Sequence, residues 1–241
     1  MKSVQYTSGF AFPPMTRFVK GLIIFILTAF VFELVLTNFF GLPIFGILAL
    51  NASEPGLHTL WQIFTYVLVD DPSGVISMLV GLLFIWLIIS PFELAFGTER
   101  TVQLCALAVL SASLPAVLVG LLMSWLTPGP AVLFGSLPIA YAGIAAMAVA
   151  ARGRRLSLFG LWSMTSRQLL LLMAGLSLLT FLATKNIAIL VGSLGSLGGG
   201  SWFALWITRP RTRTGFKRAI PWLKLIRGGR SEPQRPPRWI N

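Results

Sequence analysis

Within 241 residues the chain has one cysteine, one histidine and seven acidic residues. Each shortage excludes something. Cys105 lies inside an apolar run, which rules out an internal disulfide and a cysteine-based metal cluster and makes it a small packing residue. His58 leaves a single candidate imidazole, and a lone histidine in a loop is more often a loop or interface residue than a catalytic base. Charge is scarce too: 11% of residues are charged against 56% hydrophobic, with a mean hydropathy of +0.82. That is too little polar surface to cover a soluble globule. In its place stand apolar runs of about 20 residues, long enough to cross a bilayer as helices with their backbone hydrogen bonds satisfied internally. The chain therefore reads as an integral membrane protein. Its opening segment, "MKSVQYTSGFAFPPMTR", lacks the apolar core and small-residue cleavage site of a secretory signal and is expected to be retained.

Apolar runs between charges and Pro/Gly breaks place spans near 17–39, 73–93, 101–125, 132–151, 167–184 and 187–208. The domain reading is a short N-terminal segment, 1–16, a membrane domain, 17–208, and a basic tail, 209–241. Lys2, Arg17 and Lys20 precede the first span, Arg100 follows the second, and Arg152, Arg154, Arg155 and Arg167 separate the fourth from the fifth. Ten more basic residues follow the sixth, and only Lys185 falls on the opposite side. Both termini are thus expected to be cytoplasmic, in a bacterial inner membrane. The tail mixes Arg209, Arg211, Arg213, Lys217, Arg218, Lys224 and Arg227 with Trp222, a composition drawn to anionic lipid headgroups. The net charge of +12 raises nucleic acid as a partner, but no recognition fold accompanies it.

Three further features stand out. The first external loop, 40–72, is more apolar than a solvated loop, with Trp61 and Tyr66 suited to the headgroup zone; it is expected to dip into the outer leaflet or to form an extra short helix on the bundle. Glu33 is the one acid well inside a span; it reads either as a contact to the first loop or to a client or, the favoured reading, as an interfacial carboxylate. In the last span Gly192, Ser196 and Gly200 form one small-residue stripe and Gly195 with Gly199 another, spaced for close packing against the fourth helix through Gly135, Ala142, Gly143 and Ala146.

Several segments in order resemble the rhomboid family of intramembrane serine proteases. "PPMTRFVKGLIIFILTAF" is similar to the start of the family's first helix and "WQIFTYVLVDDP" to its "WR..TY.F.H" loop segment. "WLIISPFELAFGTER" is similar to the end of the second helix, and "NIAILVGSLGSLGGG" to the small-residue sixth. The resemblance covers roughly residues 13–208 and implies an all-α membrane fold, a six-transmembrane-helix bundle with a membrane-dipping first external loop.

The family's chemistry is where the sequence departs. Active rhomboids carry the nucleophile in Gly-x-Ser-Gly on the fourth helix, a histidine on the sixth, and a His-x-x-x-Asn pair on the second that helps hold the oxyanion. In "FGSLPIAYAG" the matching positions are Gly135, Leu137 and Pro138, so leucine stands where the serine belongs. Ser136 is one residue off, about 100° around a helix. The histidine position falls on Ser196, or on Ser193 one register away, and the His-x-x-x-Asn pair becomes Ser77 and Gly81. A serine hydroxyl cannot accept the proton near neutral pH. Lys185, the one lysine that a serine–lysine pair could use, reads as snorkelling to headgroups.

The resemblance therefore implies a pseudoprotease, without cofactor or metal, that binds transmembrane segments of client proteins. Trp61, Phe64, Tyr66, Asp70, Ser77 and Gly81 are the residues expected to shape the client surface. The competing reading is a serine endopeptidase with displaced residues, Ser136 its alternative nucleophile. A small transporter ranks below both, because the spans offer almost no ionisable residue besides Glu33.

Overall fold

The computed structural model describes residues 13–54, 56–70, 74–126, 131–150, 156–158 and 162–208. The basic tail, with Arg209, Arg211, Arg213, Lys217, Arg218, Trp222, Lys224 and Arg227, lies outside the described residues, as do Arg152, Arg154 and Arg155. Helix α1, Arg17–Phe40, stops at Gly41, whose φ of 67° turns the chain and whose N–H returns to the Leu36 carbonyl. Glycine takes that left-handed conformation without steric cost. The loop that follows holds α2 (Ile44–Leu48), a two-residue strand β1 (Leu50–Asn51) and α3 (Thr59–Thr65), which runs into a 3-10 turn over Tyr66–Leu68. Then come α4 (Val75–Phe96), α5 (Thr98–Leu126), β2 (Val132–Leu133) and α6 (Leu137–Ala150). A short antiparallel pair, β3 (Leu156–Leu158) and β4 (Trp162–Met164), leads into α7 (Ser166–Thr184) and α8 (Ile187–Thr208).

Helices α1, α4, α5, α7 and α8 are long and apolar enough to cross a bilayer. The fourth expected span is corrected. Residues 132–133 are not helical but pair antiparallel with β1, Leu50 opposite Leu133 and Asn51 opposite Val132. The helix proper has 14 residues, about 21 Å of rise against a hydrocarbon core of about 30 Å. Extended backbone that is shielded from water is viable only if its polar groups find protein partners. They do: Ala52 N–H donates to the Ala131 carbonyl, and the Asn186 side-chain amide donates to the Val132 carbonyl. Asn186 also accepts from the Ala188 N–H at the start of α8, so one side chain caps that helix and satisfies the strand.

The second span also runs further than the charge pattern predicts. Glu93 does not end α4, because its carboxylate accepts hydrogen bonds from Thr16 and from Thr98, which tie the start of α1 and the start of α5 to it.

Helix α8 packs most extensively on α5 and α6. An ideal Cβ on Gly200 would stand 2.1 Å from the Ala142 carbonyl oxygen, and one on Gly192 would stand 2.9 Å from a Leu133 methyl. The second small-residue stripe faces α5 rather than the fourth helix: Gly195 and Gly199 both abut Ser111. Pro115 has no N–H for the Ser111 carbonyl one turn back, and it is this freed carbonyl that Gly195 approaches. Gly143 is corrected in the same way, since it abuts Ile88 and Ile89 of α4. Gly135 is not a helix-packing residue; it sits before α6 with a φ of 88°, and its N–H donates to the carbonyls of Tyr66 and Val69.

Candidate functional site

The start of α6 is where the loop, α1, α4 and α8 converge. The turn at Gly135 is held by the two loop carbonyls, and an added Cβ there would lie 3.5 Å from a carboxylate oxygen of Asp70. Pro138 is tolerated because it falls in the first helical turn, where its missing N–H has no intrahelical acceptor. Leu137 opens the helix and is 39% exposed.

Ser136 is 3% exposed and turned away from that side. Its Oγ lies 3.1 Å from where a Gly81 Cβ would stand, so the absent side chain on α4 leaves it room. Ser136 shares a small crevice with Asp70, Val69, Met78 and Phe30. On α8, Gly192 faces Leu133 and Gly200 faces Ala142, which puts Ser196, one turn from each, level with the first turn of α6. Ser196 is fully buried, and its hydroxyl donates to the Gly192 carbonyl of its own helix. Ser193 does the same with the Ile189 carbonyl. His58 keeps to its own loop: Nε2 lies 3.1 Å from the Glu54 carbonyl, and the ring stands edge-on to Trp61.

The loop is fastened from beneath. Gln62 is buried; its amide donates to the Gly46 and Ile47 carbonyls while its oxygen accepts from the Asn51 N–H. Thr65 donates to the Leu48 carbonyl and Trp61 Nε1 to the Ile47 carbonyl. Tyr66 is 0% exposed and its hydroxyl donates to the Val109 carbonyl of α5; burial pushes the phenol up, so the donor stays protonated.

The expected client surface divides accordingly. Trp61 and Phe64 are exposed, with Leu57 and Leu60 beside them, and Ser77 is exposed on α4. Tyr66, Asp70 and Gly81 are buried and belong to the support of the site rather than to its surface. Of the two readings of Glu33 the structure favours the loop contact: it is 1% exposed and faces Asp70. Sequence reasoning missed Asn186, although an Asn before an apolar run is a recognisable helix-cap signal.

Among the described residues no group of three or more His, Cys, Asp and Glu side chains stands ready for a metal ion. Comparison with curated proteins finds no match. A family model described as Rhomboid domain matches residues 57–210, from the loop through the end of α8. With that match over more than half its length, the chain belongs to the rhomboid family, as an integral membrane protein.

Proposed function

We propose that this rhomboid is a non-catalytic member that binds transmembrane segments of client membrane proteins. The observation that carries the reading is Leu137: the first residue of α6, where active members place the attacking serine, has no nucleophilic atom. Two more features support it. The hydroxyls of Ser196 and Ser193 are spent on their own helix, and the single imidazole of the sequence stays with its own loop. Catalysis by a serine requires a proton acceptor within hydrogen-bond reach of the hydroxyl, and a catalytic unit that loses a member loses most of its rate.

The client surface is Trp61 and Phe64 on the exposed side of α3, with Leu60 beside them and Ser77 at the top of α4. A loop of this kind, apolar outside and hydrogen-bonded inside, disturbs the surrounding lipid and gives a client helix a surface to exchange for it. Both termini face the cytoplasm of a bacterial cell in this reading, because basic residues gather at one end of the bundle.

A fluorophosphonate probe on the purified protein tests the first half, with no labelling expected. Labelling that disappears in Ser136→Ala would overturn the reading in favour of a displaced endopeptidase. Site-specific photocrosslinking from position 64 in native membranes tests the second half and should capture membrane proteins through their transmembrane segments.

A further inference from the structure

Away from the start of α6, an open groove of about 530 Å³ runs between α6, α7 and α8. Leu171 and Ala174 of α7 form one wall, Val149 of α6 and Leu194 of α8 the other. Gly198 is part of the lining, and a Cβ built on it would meet nothing within 4 Å, so the missing side chain is part of the space. The stretches 167–174 and 194–201 each give it a length of about 10 Å, within the depth of about 15 Å that one leaflet's hydrocarbon occupies. Volume over length leaves a section of roughly 50 Å², wide enough for acyl chains.

The end of the groove carries a charge. Arg167, exposed at the start of α7, lines it there. Between residues 101 and 231 the sequence has no Asp or Glu but thirteen Lys and Arg. Glu93, the last buried acid before that stretch, is held by Thr16 and Thr98. No acid of this stretch is there to compete for the exposed Arg167, and Glu99, the exposed acid just before it, stands at the start of α5, which does not line the groove, so the guanidinium is open to an anionic headgroup.

We propose that the groove binds the acyl chains of an anionic phospholipid whose phosphate pairs with Arg167. A guanidinium presents a planar fork of donors that matches phosphate oxygens, and the surplus of cations in this half of the chain disfavours a headgroup that carries its own amine. The site is independent of the client surface, which lies on the loop and α4.

The test is native mass spectrometry of the full chain released from nanodiscs of phosphatidylcholine with a minority of phosphatidylglycerol. The wild type should retain phosphatidylglycerol preferentially. Arg167→Gln should lower that retention about fivefold, the effect of one cation near a lipid surface, and Arg167→Lys should keep most of it, which also covers a Gln variant that does not fold. Gly198→Leu, whose Cβ would meet nothing within 4 Å and whose side chain takes up groove space, should lower retention of both lipids. Replacing Arg209, Arg211 and Arg213 with Gln should lower retention less than Arg167→Gln does, because those cations meet headgroups at the surface and not in the groove. The proposal is overturned if Arg167→Gln matches the wild type, if the tail variant loses as much as Arg167→Gln, or if Gly198→Leu has no effect. The last outcome assigns the groove to protein, either a client helix or the chain's own tail.

Discussion

Helices α6 and α7 follow one another in the chain and differ in almost every physical respect. Of the 14 residues of α6, all but Leu137, Met147 and Ala150 are buried. On α7, among the described side chains, only Leu169 and Ser177 are buried, while Leu171, Leu172, Leu176, Leu178, Leu179 and Leu182 are exposed. Hydropathy does not separate the two, since lipid is as apolar as a protein core. Size does. Helix α6 is built largely of Ala140, Ala142, Gly143, Ala145, Ala146 and Ala148, which let neighbouring backbones close on it. Helix α7 is built of leucine, which has no such use in a tight contact and is at home in lipid. The buried helix carries the site; the exposed one forms a wall of the lipid groove.

The sharpest way to break this contrast is to add bulk on each side of it. Gly200→Val should cost more than about 3 kcal/mol, because its Cβ would collide with the Ala142 backbone, which has no side chain to move aside. Gly175→Ala on α7 should be neutral or slightly stabilising, since nothing lies within 4 Å of its Cβ and alanine is the better helix former. Thermal unfolding in detergent measures both. Equal effects would mean that α7 is covered by a partner in the folded protein.

The next largest effect concerns the loop that reaches the start of α6. Gln62→Ala removes two donated bonds and one accepted bond from a buried position, a loss of about 2 kcal/mol. Its consequence should be local: faster proteolysis between α2 and α3, with α7 unaffected. Tyr66→Phe removes a single bond to Val109 and should cost about 1 kcal/mol, read from the same unfolding curves.

The six helices were legible because apolar runs and the basic residues between them are local signals. The division of the fourth was not. Val132 and Leu133 are as apolar as the helix that follows, and what makes them a strand is Leu50 and Asn51, some eighty positions earlier. The replacements at Leu137 and Ser196, on which the proposed function rests, are read by register alone. The surface of the site was legible only in part. An aromatic residue in an apolar loop can face lipid or protein, and composition does not say which: Trp61 and Phe64, one turn apart on α3, face out, whereas Tyr66 lies in the 3-10 turn beyond and points to α5. Glu33 was left between two readings for a similar reason. Counting turns to the end of α1 gives its depth in the membrane but not its rotation, and rotation brings it to Asp70.

The smallest expected effect is the most pointed about the site. In the proposed reading Ser196 takes the place of the histidine of active members, and its hydroxyl donates to the Gly192 carbonyl at 2.9 Å. A serine bonded back to the preceding turn contributes little to its helix and can bend it slightly. Ser196→Ala therefore removes one hydroxyl, leaves a carbonyl already engaged in the helix, and should change stability by less than about 0.5 kcal/mol. Client crosslinking from position 64 should also be unchanged. A position kept for proton transfer behaves otherwise: its loss is silent in unfolding but abolishes turnover. Measuring both on Ser196→Ala, next to Gly200→Val one turn away, separates a residue that is there because it is small from one that is there to react.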